Sequence, residues 1–139
     1  MKRQVVRLQG IPQSVPRARR FVSRTLGPHH PAAAPAALLV SELATNAVMH
    51  SDSGRPGGTF AVAVEVSART VRIEVTDAGG LDQPRVRHPR GDSQHGRGLA
   101  LVEVLSSAWG TQTAGAGRRV TWCDIAVPQP SQQVRRNIA

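Results

Sequence analysis

Two short runs near the middle of the chain limit what it can fold into. Phe60, Val62, Val64 and Val66 occupy every second position, and so do Val71, Ile73 and Val75, with Arg72, Glu74 and Thr76 interleaved. Such alternation puts apolar side chains on one face of a strand and lets the other face carry charge. Four residues separate the runs, which suits a hairpin. A hairpin with one apolar face needs a cover, and segments of helical periodicity have to supply it.

Two such segments precede the hairpin. Ser14 stands where an N-cap belongs, Pro16 fits a first turn, and Ala18, Phe21, Val22 and Leu26 recur at helical spacing until Gly27 and Pro28 stop the run. A second helix is predicted over about 35–50, where Leu39, Leu43 and Ala47 form an apolar stripe. Val5, Val6 and Leu8 give a short first strand. After Asp77 the chain is rich in Gly, Pro, Asp, Arg and His as far as Gly96, without periodicity, which suits a lid or binding loop better than a plain connection. Leu99, Val102, Leu105 and Ala108 mark a third helix ended by Gly110, and Val120 to Val127 reads as a last strand. The predicted class is α+β: a two-layer sandwich with a mixed, mostly antiparallel sheet and helices on one face. One domain is expected over 1–127, with a frayed tail over 128–139.

Composition narrows the function classes. No run approaches the roughly 20 apolar residues of a membrane span, and MKRQVVRLQG lacks the apolar stretch of a signal peptide, so a cytoplasmic, membrane-free protein is expected. Cys123 is the only cysteine and lies in an alternating apolar run, where it reads as a small buried hydrophobe. The formal charge is +9, and Lys2 is the only lysine. No carboxylate precedes Glu42, whereas Arg7, Arg17, Arg19, Arg20 and Arg24 all do. This basic third is either a docking surface for an acidic protein or polyanion, or a solvated face. Direct nucleic-acid binding is disfavoured, because 3% aromatic content with no tyrosine leaves little for base stacking.

Four groups of residues carry chemistry. Glu42, Asn46 and His50 are four apart and share one helix face. Asp77-Ala78-Gly79-Gly80 follows an apolar strand, so a carboxylate can accept hydrogen bonds while glycine lets a planar ligand approach the backbone. Gly96-Arg97-Gly98 leads into Leu99 and the third helix, where helix-opening N–H groups can hold phosphate without a lysine. Neither a Walker-type lysine motif nor the full dinucleotide fingerprint is present. Gly117-Arg118-Arg119-Val120 enters the last strand either as a phosphate-facing turn or as an exposed edge.

Taken in order, these groups resemble the histidine-kinase-like ATPase domains with the Bergerat ATP-binding fold, and among them the small stand-alone anti-sigma-factor serine/threonine kinases of bacteria. The phrases LLVSELATNAVMHS, VRIEVTDAGG and HGRGLALVEVLSSAWG carry the likeness, which spans roughly Val15 to Val127. It implies ATP and Mg²⁺ as ligands. It implies Glu42 as general base, Asn46 as the magnesium ligand and His50 as a pocket-side residue. Asp77 would accept the adenine amino hydrogen with Gly79 beside the base. Gly96, Arg97, Gly98 and Leu99 would meet the phosphates beneath a lid at about 82–95. The implied partners are a sigma factor and an anti-anti-sigma protein, with pairing of two copies through the sheet edge and early helix as a further implication.

The chain departs from the pattern in three places. Gly80 is followed by Leu81 where many relatives have another glycine, Gln94 stands where an arginine serves the terminal phosphate, and Arg118 replaces a threonine after the last glycine turn. The expected function is therefore an ATP-binding anti-sigma factor and protein kinase. The alternative is a non-catalytic ATP-binding module that sequesters a protein partner.

Overall fold

A computed structural model describes residues 1–80 and 100–129 of the chain. Its elements are β1 (Lys2–Gln9), α1 (Ser14–Leu26), α2 (Ala33–His50), β2 (Thr59–Val66) and β3 (Thr70–Asp77), then helical residues 100–105 (α3), β4 (Ala108–Thr113) and β5 (Arg119–Ala126). Single 3-10 turns lie at Asp52–Gly54 and Gly115–Gly117. The strands form one sheet in the order β1-β2-β3-β5-β4. Every described pairing is antiparallel, a stricter version of the mostly antiparallel sheet implied by the sequence. No helix among the described residues is long and apolar enough to cross a membrane.

Strand parity decides what is buried. Cα partners across an antiparallel pair point to the same side, so Val71 with Ile125, Ile73 with Cys123 and Val75 with Thr121 form rungs on one face. Val62 and Val64 of β2 extend that face, and α2 covers it with Ala36, Leu39, Val40, Leu43, Ala44 and Ala47. The predicted stripe of Leu39, Leu43 and Ala47 is thus the centre of a broader apolar face. Ala18 and Val22 bring α1 onto the same core. Cys123 is buried there, and burial pushes its thiol up to about 12, which fits a packing residue.

The other sheet face carries compensated charge. Arg72 forks onto Asp124 with bonds of 2.7 and 2.9 Å, and its guanidinium lies 4.3 Å from the ring centroid of Trp122. Arg3 of the edge strand reaches both Glu65 and Glu74.

Three expectations need correction. Ser14 does not cap α1: it is the first helical residue, after Gln13, and its buried Oγ has no hydrogen-bond partner. The turn that starts the helix is closed by backbone, Ser14 N–H donating to the Ile11 carbonyl at 2.9 Å. The second helix begins at Ala33, slightly ahead of 35. The third helix ends before Ala108. Ser106 N–H donates to the Val102 carbonyl at 3.0 Å to close its last turn, and Ser107 N–H then bonds the Asp124 carbonyl at 2.8 Å, drawing the chain into the sheet as β4. Gly110 is therefore a strand residue and not a helix stop. A side chain there would press against the Trp122 indole at 3.0 Å.

Candidate functional site

The site grows out of the phase of β3 and β5. Continuing the buried rungs past Val75 and Thr121 brings Asp77 opposite Arg119, on the core side of the sheet. Both are almost wholly buried, at 5% and 4% exposure, and Arg119 Nη2 lies 3.2 Å from Asp77 Oδ2. A buried charge of either sign needs its partner, so the two residues hold each other in place. The other carboxylate oxygen, Oδ1, accepts the Gly79 N–H at 2.7 Å. Burial pushes the Asp77 carboxyl above its ordinary range, against the downward pull of the Gly79 N–H and of Arg119.

Gly79 has to be glycine. Its φ is +74°, and an added Cβ would collide with the Gly117 carbonyl oxygen. The turn leaving β3 and the turn entering β5 therefore pack backbone against backbone, and neither Gly79 nor Gly117 puts a side chain into the space beside Asp77.

The segment after α2 clamps this turn from the other side. Ser53, fully buried, accepts the Ala78 N–H on its hydroxyl at 2.9 Å, and Asp52 N–H donates to the Gly79 carbonyl at 2.7 Å. Ser51 donates its hydroxyl to the Ala47 carbonyl at 2.6 Å and accepts the Ser53 N–H at 3.0 Å, tying the clamp to the end of the helix. Arg119 Nη2 also lies 3.4 Å from the His50 carbonyl. The last turn of α2 is in this way fixed against the Asp77–Arg119 pair.

From that anchor the polar row of α2 runs outward. Asn46 and Glu42 lie one and two turns before His50, about 6 and 12 Å along the axis. Each directly precedes a buried residue of the apolar stripe, Leu43 for Glu42 and Ala47 for Asn46, so the row borders the core and its members are half-buried. Among the described residues, no hydrogen bond or ion pair engages the side chain of Glu42 or Asn46. No cluster of three or more His, Cys, Asp or Glu residues suited to a metal occurs among the described residues. A single asparagine oxygen sharing an ion with phosphates would not form such a cluster.

Thus Asp77 and Gly79 are held against the end of α2 at His50, and Asn46 and Glu42 lie on the two helix turns before it. Gly96, Arg97, Gly98 and Leu99, together with Gln94 and the expected lid over 82–95, lie outside the described residues. Arg119, Ser53 and Asp52 are the additions. Arg119 belongs neither to a phosphate-facing turn nor to an exposed edge. It is in phase with Thr121, Cys123 and Ile125, and that parity is the signal by which it could have been found. Ser53 and Asp52 sit in a turn-rich stretch with no periodicity to mark them. Arg118 is exposed and its Nε bonds the carbonyl of Gly115 in its own turn, at 3.0 Å.

What this arrangement can do follows from its unfilled valences. Each Asp77 oxygen retains a lone pair beyond the bond it already makes, so the carboxylate can accept a hydrogen bond from an amino group of a planar base lying over Gly79. The free carbonyl oxygen of Asn46 suits a hard cation, and the Glu42 carboxylate suits a proton. A chain 33% identical over 97 residues, covering 69% of this protein and 90% of its own length, is an uncharacterised protein of Streptomyces coelicolor. The family model described as the histidine kinase-like ATPase domain matches residues 9–123, a span that contains every site residue named above. The chain therefore belongs to the histidine kinase-like ATPase domain family, whose description supports ATP binding by this domain.

Proposed function

We propose that this protein is an anti-sigma factor that phosphorylates a serine or threonine of an anti-anti-sigma partner, and holds its sigma factor when that partner is unavailable. The observation that carries the reading is the half-buried, unengaged pair Glu42 and Asn46, on a helix whose end is locked to the buried Asp77–Arg119 pair. Adenine lies against Gly79 with its amino group donating to Asp77. The phosphates then extend along α2 toward Asn46 and toward the amides of Gly96, Arg97, Gly98 and Leu99. Asn46 would hold Mg²⁺, which when bound would supply charge neutralisation to the phosphates.

Glu42 takes the proton of the attacking hydroxyl as its oxygen bonds to the γ-phosphorus and the bond to the β-phosphate oxygen breaks, releasing ADP. Such a transfer depends on positioning and charge neutralisation more than on covalent participation, which fits a site whose adenine end is rigid. His50 contributes a side-chain wall at the junction of the two ends.

The deciding experiment is transfer of radiolabel from ATP to the anti-anti-sigma protein encoded nearest this gene, with Glu42→Ala and Asn46→Ala as controls. The proposal expects transfer by the wild type and none by either variant. A second reading, a non-catalytic ATP-dependent switch, is favoured by Arg118, which replaces the expected threonine and bonds only within its own turn. It gains if ATP binds, no label moves, and Glu42→Ala changes nothing.

A further inference from the structure

Between β1 and α1 lies a groove of about 580 Å³ that shares no residue with the proposed ATP site. Its floor is Val6, Leu8 and Phe21, each partly buried and packed on the core. Its walls carry Lys2, Arg17, Arg20 and Arg24, all exposed. Among the described residues none of these four cations forms a hydrogen bond or ion pair. That sets them apart from Arg3 and Arg72 on the open sheet face, which are matched by Glu65, Glu74 and Asp124. The absence of any carboxylate before Glu42 leaves the groove without a neutralising neighbour in its own segment. Among the described residues β1 is also an edge strand with no neighbour on its outer side.

From these observations we infer that the β1–α1 groove is a docking site for an acidic segment of a partner protein, one that alternates carboxylates with apolar side chains. Carboxylates would pair with the arginine walls, where the planar guanidinium favours bidentate bonds. Apolar side chains would cover Val6, Leu8 and Phe21. A second copy of this chain is a poor occupant, because symmetric pairing at this edge would bring two uncompensated basic faces together. Nucleic acid would meet the cations, but its backbone gains nothing from an apolar floor, and the partly buried Phe21 offers a single ring for stacking. The inference does not depend on phosphoryl transfer, since it concerns residues outside the proposed ATP site.

The test uses the full chain without nucleotide and a fluorescent peptide alternating glutamate with valine as the probe. A lysine–valine peptide and a DNA oligonucleotide serve as comparison ligands. Two double variants carry equal charge change: Arg17→Glu with Arg20→Glu on the groove, and Arg7→Glu with Arg69→Glu away from it. All four positions are exposed, so both variants should fold. The glutamate peptide is expected to bind the wild type, to lose about tenfold or more in affinity to the groove variant, and to lose less than about threefold to the control. Equal loss in both variants would reduce the effect to net charge. Absence of peptide binding, tighter DNA binding that depends on Arg17 and Arg20, or a dimer in sedimentation abolished by the groove variant would each overturn the inference. ATP binding measured on the same preparations keeps this outcome separate from that of the kinase reading.

Discussion

The two ends of the proposed ATP site are built on opposite principles. At the Asp77 end the polar groups are paired: the carboxylate with Arg119 and the Gly79 N–H, the Ala78 N–H with Ser53, the Gly79 carbonyl with Asp52. At the Glu42 and Asn46 end the side chains are half-buried and unengaged among the described residues. The first end is rigid because breaking any one pair strands a buried polar group. The second keeps its valences for whatever enters. Under the proposed function, one end recognises a fixed planar group and the other handles cation, phosphate and proton. Substitutions should therefore separate stability from chemistry along a single helix.

The largest effect is expected at the paired end. Asp77→Ala leaves the Arg119 guanidinium buried without its carboxylate, and removal of one member of a buried ion pair costs about 3–5 kcal/mol. Urea unfolding should show that loss, together with the loss of ATP binding. A cost under about 1 kcal/mol would mean that water reaches the pair and that the end is not closed as described.

The converse is expected at the other end. Glu42→Ala should lower phosphoryl transfer by about a hundredfold or more, the usual contribution of a positioned base. It should move stability by no more than about 0.5 kcal/mol, as befits a side chain with no partner to strand. Unfolding and label transfer measured on one preparation would check both. If Glu42→Ala unfolds the protein, the half-buried row of α2 is structural and the contrast between the ends disappears.

A smaller effect tests how the paired end is shaped. Gly79→Ala forces a side chain into positive φ and against the Gly117 carbonyl, at a cost of about 1–3 kcal/mol. Because the two glycine turns would be pushed apart beside Asp77, ATP affinity should fall by more than the same substitution does at Gly57. Gly57 also has positive φ, but an added Cβ there meets nothing within 4 Å. Calorimetric titration of the two variants makes the comparison. Equal affinities would show that the glycine floor under the base is not used.

Much of this contrast could be read from the sequence, but unevenly. The hairpin was legible because its period-2 alternation is regular, and α2 because Leu39, Leu43 and Ala47 recur at helical spacing; Asp77 and Gly79 stood out only by their place in the order of motifs, since an aspartate before glycines is by itself an ordinary turn. Arg119 was obscured by the exposed Arg118 beside it, although period-2 parity from Ile125 back through Cys123 and Thr121 leads to it. β4 was hidden because Ala108 continues the helical spacing of Val102 and Leu105. Only the long-range bond from Ser107 to Asp124 redirects the chain. Ser14 misled for a similar reason: a residue suited to capping does not cap when the preceding backbone already closes the turn. The clamp of Ser51, Asp52 and Ser53 is tertiary from the outset and leaves no local pattern.

The smallest expected effect asks which force governs the paired end. Burial raises the Asp77 carboxyl above its ordinary value of 3.8, with the Gly79 N–H and Arg119 opposing. The folded chain then holds this proton more tightly than the unfolded chain does. Its contribution to stability is complete below 3.8 and is lost as pH rises through the higher folded value. Asp77→Asn cannot titrate there, while other groups titrate alike in both proteins. The stability of wild type relative to Asp77→Asn should therefore decline with rising pH across that window, as followed by urea unfolding at successive pH values. An increase would mean that Arg119 outweighs burial and that the carboxyl is depressed. The sign also bears on the ligand. An adenine amino group donating to Asp77 favours the ionised carboxylate, so ATP affinity should rise as pH climbs through the same window, opposite in direction to the stability of the free protein. Observing the two slopes with opposite signs would tie the buried pair to nucleotide recognition, whereas parallel slopes would leave it a purely structural bond.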